Sequence, residues 1–212
     1  LKHLGEEGVL LLLSESTTTD RAGRTPSESI IEPSFIELFN RAPGRVFIAI
    51  FSTNINRIQM VINAAVHHGR KIALDGRSMM STLEMAVRNG FVKVPKGTFI
   101  PIASANNLPD EKVVVICTGS QGETNSALMR MSTGDHKHIK LKPRDTVILS
   151  STPIPESGND AMIGDMVDDL MRKGVHIFQH ATHELDNIGP LHVSGHGSAD
   201  EYKDMIRITK PK

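Results

Sequence analysis

The sequence predicts an α/β protein: a Rossmann-like, doubly wound, mostly parallel sheet with helices on both faces. Three observations predict it. Short apolar runs recur at "RVFIAIF" (45–51), "KIALD" (71–75), "KVVVIC" (112–117), "TVILS" (146–150) and "VHIF" (175–178). Segments of helical period separate most of them. The runs are continuous rather than alternating, as in strands buried on both faces. Strand–helix alternation of this kind reads as successive βαβ units, and no repeat of fixed period interrupts it.

After the first run, Ile55, Ile58, Ile62 and Ala65 recur at spacings of three, four and three, which is one face of a helix. Gly69 closes that helix, and His67 and His68 sit in its last turn, where partial positive charge is favoured. Met79, Leu83 and Val87 follow "KIALD" at four-residue spacing, with Gly90 as a stop. Met162, Met166 and Leu170 line the helix between the last two strands. The ten Met residues mostly fall at such core-facing positions, as packing filler. Residues 1–40 read differently. "GVLLLLSEST" (8–17) is a predicted strand, and "TTTDRAGRTPSE" (17–28) is a polar loop ending in a helix start. That helix runs through Ile30, Ile31 and Phe35 to Phe39, with Pro33 either a kink or the true start. The segment reads as part of a neighbouring domain, with 41 onward as the compact unit.

An apolar fraction of 39% and a charged fraction of 23% in 212 residues fit a soluble globular protein with a sizeable core. No apolar run approaches the roughly 20 residues that cross a bilayer, and no basic-then-apolar leader opens the chain. The start on Leu1 rather than Met reads as a fragment or a processed product. A lone Cys117 excludes an internal disulfide and points to a reducing compartment, hence the cytoplasm. Net charge is zero but unevenly spread. Residues 1–40 carry three basic groups against seven acids, whereas 41–97 carry nine against Asp75 and Glu84. That surplus is either a phosphate-binding face or a solvated basic one. Trp is absent and Tyr202 is the only Tyr, so nucleic acid would be held by its sugar–phosphate backbone rather than by stacked bases.

In a doubly wound sheet, ligands gather at the carboxyl ends of the strands. Those ends are "STNINR" (52–57), "DGRSM" (75–79), "CTGSQGE" (117–123), "SSTPIPESGN" (150–159) and "QHATH" (179–183). Such loops offer backbone N–H groups and hydroxyls to anions. In "GSQGE", Gly119 and Gly122 permit close backbone approach at a helix start. Arg57 and Arg77 either fork onto phosphate oxygens or pair with a nearby acid. The histidines offer no defensible zinc spacing. "DHKHI" (135–139) reads as a surface turn before a strand, and His180, His183, His192 and His196 match no ligand pattern. No metal is expected on this chain alone. Cys117 reads as a buried small residue rather than a nucleophile. "HVSGHGSADE" (192–201) sets His192 and His196 around Ser194 and Gly195, leaving metal binding, proton transfer and loop closure as its possible uses.

At "CTGSQGE", "GRSM" and "HVSGHGS" together, the chain resembles the ribonuclease J family in its β-CASP region, which is inserted in a metallo-β-lactamase-fold nuclease. "GEEGVLLLLSEST", "STNINRIQMVINAAVHHGRKIAL", "SSTPIP" and "HVSGHGSADEYKDMI" extend the resemblance over nearly the whole chain. It implies three parts. Residues 1–40 would be a strand–loop–helix of the metallo-β-lactamase domain with the linker into the insertion, 41–198 the β-CASP domain, and 199–212 a helix returning toward the first. It also implies a cytoplasmic enzyme of RNA maturation and decay that cuts phosphodiester bonds 5′-to-3′ and internally. Two zinc ions would be held by an HxHxDH run that these 212 residues lack. The chain alone is therefore expected not to cut RNA. Implied partners are single-stranded RNA with a 5′-monophosphate, the metallo-β-lactamase domain of the same protein and, for the full-length enzyme, further copies of itself.

Residue by residue, Glu15 in "SEST" matches the acidic residue of the first β-CASP motif, and His196 in "SGH" the histidine of the second. A carboxylate that accepts an imidazole N–H fixes the ring and favours its charged form, which could protonate a leaving 3′-oxygen after a metal-bound hydroxide attacks phosphorus. The resemblance assigns Ser120, Gln121, Gly122, Ser194 and Gly195 to a pocket for RNA backbone or a 5′-monophosphate. Arg57, Arg77, Ser78, Gly119 and Glu123 lie beside it, and His192 supports the loop or touches phosphate. Two positions depart from the family pattern. Asn56 stands where His is common, which removes a cationic donor, and Thr124-Asn125 stands where Pro-Met is common. Two other readings remain from the residues alone. One is a Rossmann-like phosphosugar- or nucleotide-binding protein using "GSQGE", which would need a complete catalytic set within the chain. The other is a subunit-interaction module, which an exposed apolar patch would favour.

Overall fold

The strand segments are dominated by Val and Ile, which favour extended backbone. The computed structural model describes residues 1–153, 158–179 and 187–212. Its strands are β1 (Val46–Ala49), β2 (Lys71–Asp75), β3 (Val113–Cys117), β4 (Thr146–Leu149) and β5 (His176–Gln179). They lie in the order β2-β3-β1-β4-β5, with every pair parallel. The register aligns Ala49 with Cys117 and Leu149, Asp75 with Cys117, and Leu149 with Gln179. All five carboxyl ends therefore stop in one row.

Residues divide between the two faces by alternation. Phe47, Ala49, Val115, Cys117, Val147 and Leu149 face α5 (Ala127–Thr133) and α6 (Asp160–Arg172), packing with Leu128, Met131, Ile163, Met166 and Leu170. The opposite face is covered by α2 (Glu32–Arg41) and α3 (Ile55–His67), which bury Phe35, Leu38, Phe39, Ile58, Val61 and Ile62. Burying each such side chain contributes about 1.5–3 kcal/mol. α4 (Arg77–Arg88) follows β2, and Phe99 then forms a single parallel bridge with Ile72. Tight 3-10 turns at Ile102–Asn107 and Asp110–Lys112 lead into β3.

Local chemistry sets the helix ends. The Asn54 side chain accepts from Arg57 N–H at 3.1 Å, and Ser126 from Met129 N–H at 3.3 Å. Pro33 falls in the first turn of α2, so it marks the true start, preceded by a 3-10 turn at Glu28–Ile31. The buried stripes are Met79–Leu83–Ala86 and Ile163–Met166–Leu170. Val87 is exposed and Met162 half-buried, because each stripe needs a three-residue step as well as a four. Met80, Met85 and Met171 are likewise exposed, whereas Met79, Met131 and Met166 are buried in the core.

Contacts divide the chain into two compact units, Ser29–His192 and a smaller one formed by Leu1–Glu28 with Val193–Lys212. The smaller unit pairs α1 (Lys2–Glu7) with α7 (Ala199–Thr209). They approach so closely that a Cβ on Gly5 would lie 2.2 Å from the Ile208 carbonyl oxygen. The strand expected over 8–17 is absent. Those residues have no ladder partner among the described residues, and Leu10, Leu11 and Leu13 are 79%, 69% and 86% exposed. A strand exists only against a neighbour that takes its backbone hydrogen bonds, however apolar its sequence.

At the amino end of the sheet, Arg45 and Asp145 form a buried two-point pair. Arg45 Nε donates to Oδ1 at 2.9 Å and Nη2 to Oδ2 at 2.6 Å, while the guanidinium also reaches Asn106 and the Lys140 carbonyl. Arg45→Met would leave the Asp145 carboxylate buried without its counter-charge. We expect a loss of about 3–5 kcal/mol, read as a lower urea midpoint at unchanged slope; a loss below about 1 kcal/mol would show that the pair does not hold the sheet.

Candidate functional site

Because the strands end together, the segments after β1, β2, β3 and β4 emerge side by side. A polar clamp ties two of them. Gln121 Nε2 donates to Ser151 Oγ at 3.1 Å and to the Thr152 carbonyl at 3.0 Å, and Ser151 Oγ donates to the Ser120 carbonyl at 2.9 Å. Ser120 and Gln121 are consequently buried. Glu123 is exposed, and its Oε2 accepts from Gln121 N–H at 3.2 Å, fixing the loop from within. Gly122 packs on the start of α6, where a Cβ would come within 3.0 Å of Ile163 Cγ1. Gly119 has φ +119°, and a Cβ there would lie 2.6 Å from Ser126 Oγ. The turn into α5 therefore requires this glycine whatever binds outside it.

Arg57 is buried on the first turn of α3. Its Nη1 donates to the Ser150 carbonyl at 2.6 Å and lies 3.0 Å from His192 Nδ1. Through a carbonyl and an imidazole, the guanidinium ties α3, the end of β4 and the segment carrying His192. Ser150 Oγ also donates to the Leu191 carbonyl at 2.6 Å. Arg77 behaves differently. It is exposed at the start of α4 and lines a cleft of about 410 Å³ with Asp75, Ser78, Thr118, Asn125 and Arg130. Ser78 and Asn125 also line an adjoining depression with Ser52, Thr118, Gly119 and Glu123. Asn56 is exposed, away from both linings.

Two participants were not legible in the sequence. Arg130 adds a second guanidinium to the cleft, its Nη1 donating to the Asn125 carbonyl at 2.7 Å. His136, expected in a surface turn, is buried and touches Asp75 through Nε2. Its Nδ1 accepts from the backbone N–H of Ile139 at 2.9 Å, so Nε2 carries the proton donated to Asp75. Residues 137–145 after it are irregular, and the next strand, β4, begins at Thr146. The partners lie 61 residues apart, and no local pattern announces the pairing. Burial pushes the Cys117 thiol up, in keeping with a packing role.

In the smaller unit, Glu15 and His196 meet. Glu15 Oε2 lies 3.3 Å from His196 Nδ1 and accepts Thr17 N–H at 2.8 Å, while Oε1 accepts the Tyr202 hydroxyl. Both members of the pair are about half exposed. Ser194 Oγ accepts from His196 N–H at 3.1 Å. Gly195 is exposed, and a Cβ there would meet nothing, so packing does not demand this glycine. Among the described residues no three His, Cys, Asp or Glu side chains gather as a metal site, and no helix is long and apolar enough to cross a membrane. His180, His183 and residues 154–157 of the "SSTPIPESGN" loop lie outside the described residues.

Two outcomes follow from this geometry. Gly119→Ala should cost about 1–3 kcal/mol, seen as a lower melting temperature; an unchanged melt would remove the turn constraint. The Tyr202 hydroxyl foremost, with Thr17 N–H, holds the Glu15 carboxyl at about 2 rather than 4.5. A depressed folded value means that the carboxylate's contribution is complete above pH 4.5 and lost as pH falls toward 2. The carboxyl carbon resonance of Glu15 should titrate near the lower value, whereas a midpoint near the upper one would show these bonds unformed.

The profile described as "Ribonuclease J, beta-CASP domain" matches residues 43–170. The whole chain is 45% identical to part of "Ribonuclease J" of Helicobacter pylori strain J99, covering 30% of that protein. It is 40% identical over 212 residues to "Ribonuclease J2" of Bacillus subtilis, covering 37% of it. With "Ribonuclease J" of Thermus thermophilus the identity is 40% over 208 residues, 98% of this chain and 35% of that protein. The chain thus spans about a third of the length of these curated relatives. A parallel five-stranded sheet flanked by helices on both faces, the matched profile and these identities together establish that the chain belongs to the ribonuclease J β-CASP family.

Proposed function

We propose that this chain is the RNA-holding part of a ribonuclease J-like 5′-to-3′ and internal nuclease. Its strand-end cleft takes the sugar–phosphate backbone and 5′-monophosphate of single-stranded RNA, and Glu15 and His196 form a proton-transfer pair. The observation that carries the reading is the meeting of those two side chains across 181 residues of sequence. Arg77 and Arg130 bring two positive groups to one cleft, with Ser78 beside them. Gly195 offers backbone next to His196 that no side chain covers, and Ser194 Oγ accepts the His196 N–H beside it.

Hydrolysis of a phosphodiester adds a water oxygen to phosphorus and breaks the P–O3′ bond, and the departing oxygen needs a proton. His196 turns Nδ1 toward Glu15, so Nε2 is the ring atom that gives the proton. The Glu15 carboxylate balances the imidazolium before transfer and keeps the neutral ring as its Nδ1–H form afterwards. The two zinc ions implied by the resemblance do not fit the residues present: there is no HxHxDH run, and the described residues gather no ligand cluster. No step above is routed through metal on this chain. A metallo-β-lactamase domain of the same protein is the proposed metal-bearing partner, further copies of the enzyme complete the assembly, and the reducing cytoplasm is the proposed setting.

Binding of fluorescent 5′-monophosphorylated and 5′-hydroxyl RNA over a salt series tests the reading. We expect tighter binding of the monophosphate and affinity that falls as salt rises. Each neutralised phosphate adds about 0.7 to the logarithmic slope, so Arg77→Ala should flatten it by about that amount. Preference for a free nucleotide or sugar phosphate would overturn the proposal in favour of a small-molecule site. In a protein joining this chain to its metal-bearing domain, His196→Ala should lower cleavage on the order of 10²–10⁴-fold with RNA affinity nearly unchanged. Undiminished cleavage would remove His196 from the chemistry.

A further inference from the structure

We propose that Tyr202 is a positioning residue of the proton-transfer pair: its hydroxyl holds one carboxylate oxygen of Glu15 so that the other stays aligned on His196 Nδ1. This inference rests on the role proposed above for Glu15 and His196.

Glu15 lies in an irregular segment, and the pair it forms with His196 is open to solvent. Exposed pairs between flexible side chains gain little and hold no fixed geometry by themselves. Here the carboxylate has three partners with divided duties. Oε2 meets Thr17 N–H and His196 Nδ1, while Oε1 accepts the Tyr202 hydroxyl. Thr17 is a near neighbour in sequence and moves with the same loop. Tyr202 is the partner anchored elsewhere.

Its anchor is firm. Tyr202 stands in the first turns of α7, directly after a reciprocal cap in which Ser198 N–H donates to Glu201 Oε2 at 2.8 Å. The same Glu201 oxygen accepts Thr25 N–H at 2.9 Å, and Thr25 Oγ1 donates to the His196 carbonyl at 2.7 Å. Ala199 N–H donates to the Arg21 carbonyl at 2.8 Å, and Arg24 pairs with Asp204. The helix start that carries Tyr202 is therefore tied to residues 21–25 and, through Thr25, to the carbonyl of His196. A phenol has only two side-chain torsions, so it transmits this fixity with little entropy cost. The ionised Glu15 carboxylate can only accept, so the phenolic proton points at its Oε1. The carboxylate's strong preference for its charged form has Tyr202 as its largest cause, in keeping with this arrangement.

The test is nitrogen-15 NMR of the chain, wild type against Tyr202→Phe and Glu15→Gln. Long-range nitrogen–proton correlations report which ring nitrogen of neutral His196 carries the proton. The wild type should favour Nδ1–H, Glu15→Gln should abolish that bias, and Tyr202→Phe should weaken it while the α7 amide signals stay in place. A merely structural tyrosine would leave the tautomer untouched once the fold is retained. A second readout needs no change at Tyr202. With one Tyr and no Trp in the chain, phenolate absorbance titrates this group alone. Desolvation first, then donation to Glu15, raise its midpoint in the wild type, and Glu15→Gln should bring it down. An unmoved phenol midpoint overturns the proposal, as does an unmoved tautomer in a folded Tyr202→Phe protein whose Glu15→Gln counterpart shifts. Should His196→Ala leave cleavage intact while both NMR and absorbance results hold, the positioning survives and the catalytic role falls.

Discussion

The buried Arg45–Asp145 pair sets the level of the sheet, and the functional edge depends on that level. Parallel strands can slip in register without changing which residues are apolar, because runs such as "VVVI" present similar side chains at every step. A two-point guanidinium–carboxylate contact between the starts of β1 and β4 admits only one alignment. From there the ladder carries the register outward to β3, β2 and β5. The carboxyl ends finish in a row, and residues from four loops become neighbours.

That edge is built by a division of labour among similar-looking polar residues. Arg57, Ser120 and Gln121 lie inside, holding carbonyls and hydroxyls of adjoining loops in place. Arg77, Ser78 and Asn125 lie outside, over a cleft whose walls the first group supports. The interior residues make the shape and the exterior ones present the charge. Arginine suits both tasks, since its fixed fork satisfies several buried carbonyls as readily as it meets an anion.

How much of this could be read beforehand follows from the range of each interaction. Strands buried on both faces announce themselves as unbroken apolar runs, and Asn54 and Ser126 mark helix starts within four residues of what they bond. The Glu15–His196 meeting was reachable only because a family resemblance supplied the partner. The Asp75–His136 contact, Arg130 in the cleft and the hydroxyl of Tyr202 on Glu15 depend on tertiary placement, and no spacing encodes them. One misreading has the same root. "VLLLL" resembles a strand when it is viewed without its neighbours. Among the described residues it has no strand beside it, while the packing of Gly119 and Gly122 against Ser126 and Ile163 is likewise set by tertiary placement.

Cys117 is the lone sulfhydryl and sits at 0% exposure on the central face of the sheet, donating to the Ile48 carbonyl at 3.6 Å. A reagent that modifies thiols must wait for β3 to part from its surroundings before it can react. The native chain thus contains its own clock for opening of the interior, and a label introduced by a new cysteine on the surface would compete with almost no background.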